Sequence, residues 1–251
     1  MYFDVVSSGS KGNATIIVHN HTVILIDLGI TLARLKEDLD YLHLSLKDID
    51  ALFITHEHSD HLNGLKAISP KKMYALDKTI PGNLSNVIEV YDSVTIKDLT
   101  ITPFPISHDA INPCGYVVES EKEKLVYMTD TGIFLDEALC VISNPDYLII
   151  ESNHDRAMEM KTKRSFRLKQ RIMSNFGHLC NEDSAFAALD IIGDKTKEIV
   201  LAHLSEEANT PEVALAAYRK VFTYRGKNID KYHVHCANQN VHTLGGDYHE
   251  D

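Results

Sequence analysis

Apolar positions in the first third of the chain fall in short runs rich in β-branched residues. Residues 3–7, 14–19 and 22–27 therefore predict strands, the first two parted by the turn Gly9-Ser10-Lys11-Gly12-Asn13. Leu32, Leu35, Leu39 and Leu42 then recur at helical spacing and predict a helix over residues 31–42. Residues 51–55 read as a buried strand that runs straight into a histidine-rich stretch, with an amphipathic segment over 62–68 behind it. The middle repeats the pattern, with strands over 86–89, 98–106, 115–120 and 124–129, a helix over 134–142 and a strand over 147–151. Helical periodicity dominates afterwards, over 158–173, 183–192 and 211–222, the last with Pro211 in its first turn, and a strand at 198–202. No low-complexity linker or tandem repeat divides the chain, and both halves share a strand-strand-helix rhythm. One domain over residues 1–251, two packed sheets flanked by helices, is the expected architecture.

Composition narrows the class. Hydrophobic residues make up 44% of the 251 and charged residues 24%, ordinary for a soluble globular protein with a sizeable core. Residues 1–10 lack a basic region followed by an apolar run, and no stretch approaches the ~20 apolar residues of a membrane span. A cytoplasmic protein without membrane partners is expected. Cys114, Cys140, Cys180 and Cys236 are scattered, with no CxxC pair, and predict reduced thiols. A net charge of -11 argues against a general nucleic-acid-coating protein. Fourteen histidines in such a chain are the first hint of metal chemistry.

The hint becomes specific at Thr55-His56-Glu57-His58-Ser59-Asp60-His61, directly after a hydrophobic strand. Neutral imidazole nitrogen and carboxylate oxygen are the donors that Zn²⁺ and similar ions take. His56 and His58 are two apart and can be aimed at one ion, whereas the adjacent Asp60 and His61 suit a second ion beside it. Such crowding of protonatable groups is costly without metal. Further donors follow other predicted strands: His108, Asp130 and His203 each come directly after a buried run, where the sites of layered α/β proteins gather. His233 and His235 fall on one face of a C-terminal strand and could form another ligand pair; His242 and His249 lie beyond them.

The ordered set Asp27, His56-x-His58-x-Asp60-His61, His108, Asp130 and His203 resembles the metallo-β-lactamase fold superfamily over essentially the whole chain. That resemblance implies a four-layer αββα sandwich with metals at one edge. Within it, residues 7–13, Glu151-Ser152-Asn153-His154-Asp155, Gly177-His178-Leu179 and His203-Leu204-Ser205 with Ala208-Asn209 are similar to the WalJ/YycJ-type group, regarded as 5′-to-3′ exonucleases acting on DNA.

By chemistry and resemblance together, His56, His58 and His108 are assigned to one ion and Asp60, His61 and His203 to a second, with Asp130 bridging. Ions in such a pair, ~3.5–4 Å apart, share a hydroxide that attacks phosphorus. Zn²⁺ comes first among candidate ions, and Mn²⁺ or Fe²⁺ also suits nitrogen and oxygen donors. Asp60 would also orient the hydroxide. Asp27 either supports the histidine loop through a hydrogen bond or simply turns the chain before Gly29. Glu57 reads as packing or support. The resemblance implies that His178 gives a proton to the leaving oxygen, against a purely structural reading, and His154 and Asp155 are candidates to line the site. Asn181 reads as the N-cap of the helix behind His178.

The expected substrate is a phosphodiester, DNA before RNA. Residues 161–171 carry Lys161, Lys163, Arg164, Arg167, Lys169 and Arg171 with no acid, and on a helix Arg164, Arg167 and Arg171 share one side, as a phosphate-holding stripe or a solvated face. Residues 8–13 offer either backbone N–H groups for a phosphate or only a hairpin. A different enzyme class remains open: hydrolysis of a cyclic phosphodiester, thioester or lactam at the same two-metal site. A metal-stabilised binding protein is a third reading. The acidic chain lacks the extra cap domain of long-RNA nucleases, which favours a short or single-stranded end.

Overall fold

The computed structural model describes residues 1–80, 82 and 86–248. The first half runs β1 (Tyr2–Ser7), β2 (Ala14–His19), β3 (Thr22–Ile26), α1 (Leu32–Tyr41), β4 (Ile49–Phe53), the short α2 (Ser59–Leu62), β5 (Met73–Leu76) and β6 (Asn86–Ile88). The second runs β7 (Val94–Ile96), β8 (Leu99–Pro105), β9 (Cys114–Glu119), β10 (Lys124–Met128), α3 (Leu139–Ile142), β11 (Tyr147–Glu151), α4 (Arg156–Lys161), α5 (Phe166–Ile172), α6 (Asn181–Ile191), β12 (Glu198–Ala202), α7 (Pro211–Tyr224), β13 (His233–Cys236) and β14 (Leu244–Gly246). Among the described residues these strands make two sheets, ordered β14-β1-β2-β3-β4-β5-β6 and β13-β12-β11-β10-β9-β8-β7.

The sheets lie face to face because their strands are apolar on both sides, as in β3 and β11, where every residue is buried. Phe3, Ile24, Phe53, Tyr116, Ile149 and Val200 fill the space between them. Ile16, Leu25 and Leu52 turn outward under Leu35 and Leu39 of α1. Val126, Leu148 and Leu201 turn outward under α6 and α7, through Ala188, Tyr218 and Phe222. The result is the four-layer αββα order that the family resemblance implies. Strands β3 to β6 pair in parallel in one sheet and β10 to β13 in the other, so their C-terminal ends open on a common rim. Tyr116 on β9 crosses between the sheets to donate its hydroxyl to Ile54 O at 2.7 Å, anchoring the end of β4 just ahead of the histidine motif.

Local departures have local causes. The single helix expected over 158–173 is two, broken where Thr162 caps the end of α4 and Ser165 Oγ caps the start of α5. In place of one helix over 134–142 stand a 3₁₀ turn (Asp136–Ala138) and a short α-helix (Leu139–Ile142). Strands β5, β7 and β14 are short pairings that the hydrophobic pattern does not announce. Cys180, not Asn181, caps α6, and Asn181 instead joins a buried amide network. The four cysteines are free thiols. No helix among the described residues is long and apolar enough to cross a membrane. His249 lies outside the described residues.

Candidate metal centre

Three strand ends meet the rim through residues in left-handed backbone: Asp27 after β3 (φ 60°), Asp130 after β10 (φ 55°) and His203 after β12 (φ 56°). That conformation is uncommon for residues other than glycine and turns each side chain out of its strand direction. The loop after β4 supplies His56, His58, Asp60 and His61, and the loop after β8 supplies His108. Gly29 makes the packing of this loop possible, because a Cβ there would stand 1.6 Å from Asp60 O.

The histidines share one hydrogen-bond logic. His56 Nδ1 is 3.0 Å from Thr55 Oγ1, His61 Nδ1 donates to Asp27 Oδ2 at 2.8 Å, His108 Nδ1 donates to Gly177 O at 3.1 Å, and His203 Nδ1 donates to Glu151 Oε1 at 2.8 Å. Each bond fixes the ring and leaves Nε2 for another partner, the arrangement that metal-ligating histidines need. His58 Nδ1 lies 3.2 Å from His108 Nε2. The donor atoms of His56, His58 and His108 all lie within 4.8 Å of one another, as do those of His56, His61 and Asp130, and those of Asp130, Glu151, His178 and His203. His56 Nε2, His203 Nε2 and Asp130 Oδ2 are buried and have no hydrogen-bond partner among the described residues. Buried polar atoms are ordinarily satisfied. Three orphaned ligand atoms in donor groups that share Asp130 fit divalent ions.

The charges are consistent with that fit. Burial opposes ionisation of Asp130, but His203, His61, His56 and His178 together hold its carboxyl well below the usual range. Burial would depress His61 and His203 as well. Asp27 and Asp130 around the first, and Asp130 and Glu151 around the second, outweigh it and raise both to about 9. Burial, with His61 beside it, holds His56 well below its ordinary value.

Six of the seven residues predicted as metal ligands, His56, His58, His61, His108, Asp130 and His203, come together in these groups. Asp60 reaches the cavity wall, with Oδ2 3.7 Å from His61 Nε2 and 3.3 Å from Asn13 Nδ2, but joins none of the groups. The cavity holds about 290 Å³ and is walled also by Ser10, Ser59, Arg171 and His178. His178 donates Nδ1–H to Glu151 Oε1 at 2.8 Å, and no hydrogen bond from the described residues engages its Nε2. His154 is not brought to this cavity. It is buried against residues 180–181, its Nδ1 is without a partner, and burial lowers it to about 4. Asp155 caps α4 by accepting from Met158 N.

Glu151 is the residue that sequence reasoning missed. Fully buried, it holds His178 and His203 on one oxygen and accepts the N–H groups of Thr131 and Leu179 on the other. Burial opposes its ionisation, but His178 and His203 bring it down to about 2. A lone carboxylate ending the apolar strand Tyr-Leu-Ile-Ile was the available signal.

The turn over residues 8–13 closes the hairpin of β1 and β2, with Gly9 N, Gly12 N and Asn13 N committed to Asn13 Oδ1, Gly9 O and Asp60 O. It is a brace, with Ser8 Oγ accepting from His203 N and the Asn13 amide 3.0 Å from His61 Nε2. The basic stripe is dismantled. Arg164 is paired with the buried Glu159, and the Lys169 ammonium donates to Met160 O and Thr162 O. Arg171 alone of the six reaches the cavity wall, held by Asp109 through two hydrogen bonds. Glu57 Oε1 accepts from Ile111 N, a supporting contact as expected.

The sequence pattern of the beta-lactamase superfamily domain matches residues 22–204. The chain belongs to this superfamily. It is 33% identical to exodeoxyribonuclease YycJ of Bacillus anthracis, over 97% of each chain. It is 34% identical to exodeoxyribonuclease WalJ of Streptococcus pneumoniae, over 84% of each. Among solved structures, the metallo-β-lactamase fold protein YhfI of Bacillus subtilis superimposes with a TM-score of 0.72 at 16% identity, over 98% of this chain and 99% of that one, a likeness of fold. The chain is thus a hydrolase of the metallo-β-lactamase fold, and its site carries the donors of a metal-dependent member.

Proposed function

We propose that this protein is a metal-dependent exodeoxyribonuclease that works from 5′ to 3′ on a single-stranded end, in the cytoplasm, with two divalent ions of the Zn²⁺ or Mn²⁺ class. The observation that carries the reading is that His56 Nε2, Asp130 Oδ2 and His203 Nε2 are buried and unpartnered among the described residues, within close donor groups that share Asp130, a wall of one polar cavity. The names of the YycJ and WalJ relatives point the same donor set toward DNA, and the polarity follows the sequence resemblance to their group. His56, His58 and His108 would hold one ion, and His61, His203 and Asp60 the other, with Asp130 between them. Bound ions of this kind supply Lewis-acid charge to phosphoryl oxygens and an activated water near neutral pH.

The chain's own groups do the rest. Glu151 fixes His178 through Nδ1, leaving Nε2 to hold the proton that the leaving oxygen needs. Asp60, on the cavity wall, orients the attacking water. Arg171, fixed by Asp109, takes a neighbouring phosphate through its planar fork. Phe176 and Ile111 are exposed beside it; Phe176 O accepts from Asp109 N, and Ile111 N donates to Glu57 in the histidine motif. They offer apolar faces on which an unstacked base can lie. The small cavity and this mixed rim suit a strand end better than a duplex interior.

The test is cleavage of 5′- and 3′-labelled single- and double-stranded DNA and RNA by the wild type, Asp130→Ala and His178→Ala, with bound metal measured on each. Metal-dependent release of nucleotides from 5′ ends, lost in Asp130→Ala and slowed in His178→Ala at unchanged metal content, is expected. Two bound ions with hydrolysis of a small phosphodiester but no nucleic acid would replace the nuclease reading with the small-molecule one.

A further inference from the structure

At the end of β12 opposite the cavity, Glu198, His233 and His235 gather on one side of the second sheet. Parallel register pairs Glu198 with His233 and Val200 with His235, so the three side chains emerge on the same face. That face is the one turned toward the first sheet, since Val200 and Ala202 belong to the core between the sheets. Glu198 Oε1 stands 2.7 Å from His235 Nε2 and 3.2 Å from His233 Nδ1. The two imidazoles stack with centroids 4.5 Å apart and planes 21° apart. The other carboxylate oxygen accepts Gly246 N–H at 2.8 Å, from β14 at the edge of the opposite sheet. Glu198 is only 7% exposed, whereas His233 opens to solvent.

We propose that Glu198, His233 and His235 form a peripheral binding site for one borderline divalent cation of the Zn²⁺ class, separate from the hydrolytic centre. Two imidazole nitrogens and one carboxylate oxygen are a complete three-ligand set, with water as the fourth. Ligand atoms about 2 Å from a tetrahedral ion stand about 3.3 Å from one another. The present separations of 2.7 and 3.2 Å need to open by about 0.6 and 0.1 Å to reach that spacing. The carboxylate is already in the charged form that a cation needs: burial opposes ionisation, but the hydrogen bonds from His235 and Gly246 hold Glu198 below its ordinary value. The exposed His233 leaves a path for entry. Five residues of extended strand separate Glu198 from His203, roughly 16 Å, so the two sites share no ligand. An ion here would tie β12 to β13 and, through the second oxygen of Glu198, to β14, closing the edge where the two sheets part.

The full-length protein, dialysed against micromolar free Zn²⁺, tests this by metal content and thermal melting of the wild type, His233→Gln and the double variant His233→Ala/His235→Ala. The expected result is one equivalent of zinc fewer in both variants than in the wild type. The zinc-dependent rise in Tm should shrink, with the rate of phosphodiester hydrolysis at saturating metal unchanged. His233→Gln keeps a polar side chain of similar size at an exposed position, so its loss of zinc reports a lost ligand rather than a lost fold. The same variants made in Asp130→Ala should lose the same equivalent. Equal zinc content in wild type and variants overturns the proposal, as does an extra equivalent that disappears with Asp130→Ala alone and not with the histidine substitutions.

Discussion

At the scale of single residues, the site is governed by what holds each ligand rather than by the ligands alone. Glu151 holds two imidazoles and two backbone N–H groups at once, so Glu151→Gln leaves the ligand count intact while weakening the hold on His203 and His178. Loss of such supporting partners costs about 10–100-fold in metal affinity. A zinc titration of the variant should show a loss in that range, and wild-type affinity in Glu151→Gln would refute the role. The pH dependence has a definite sign. In the metal-free protein His61 and His203, raised to about 9, keep a proton that metal must displace. Metal affinity should therefore climb as pH rises toward 9, by about tenfold per pH unit for each proton released. His56, held low by burial, adds no proton to that slope. The stability of the metal-free protein runs the other way. The stabilisation from protonated His61 and His203 is complete below their ordinary 6.5 and is lost as pH rises through about 9. Melting curves without metal at pH 6 and 9 check this. A Tm that rises over that interval would contradict it. These dependences were invisible in the sequence. Every candidate ligand histidine stood out by its place after a strand, whereas Glu151 reads as an ordinary strand terminus until its two imidazole partners arrive from residues 178 and 203.

At the scale of elements, the metal loop between β4 and α2 is held by other loops more than by itself. Asn13 N donates to Asp60 O, Leu28 N to His61 O, and Gly64 N to Leu28 O, so the turn before β2 and the turn after β3 brace it from two sides. Gly29 sits at the closest point, and a methyl group there would collide with Asp60 O. Gly29→Ala should displace the loop and cost several kcal/mol of the kind seen on overpacking, about 1–3. Circular dichroism melts should fall while zinc content drops, and a variant with full metal and unchanged Tm would sink this account. The break between α4 and α5 shows the limit of periodicity. Thr162 and Ser165 carry no strong breaking signal. Each nonetheless caps a helix end, and Lys169 reaches back to the carbonyls of residues 160 and 162. The basic stripe drawn on one continuous helix was lost with that break, because Arg164 now lies between two helices and faces Glu159.

At the scale of the whole molecule, a net charge of -11 with one cavity-wall arginine predicts a modest electrostatic footprint. If about two or three phosphates are neutralised by Arg171 and the exposed Arg167 and Lys163, the salt slope for single strands should be roughly -2, far from that of a long-duplex binder. Phe176→Ala should raise KM for a single-stranded end several-fold with little change in kcat, since stacking on an exposed ring serves binding and not chemistry. An unchanged KM would remove the base platform from the account. The sequence by itself determined that two packed sheets would be flanked by helices, and it singled out the candidate ligands. Alternation and helical period say which faces must be buried, and a cluster of imidazoles and carboxylates after strands has few inexpensive explanations without metal. Tertiary structure alone decided which polar groups support those ligands, where the basic residues spend their charge, and that His154 stays away from the cavity. These depend on contacts between positions far apart in sequence, such as Ser8 with His203 or Glu151 with His178, and spacing along one chain carries no record of such distances.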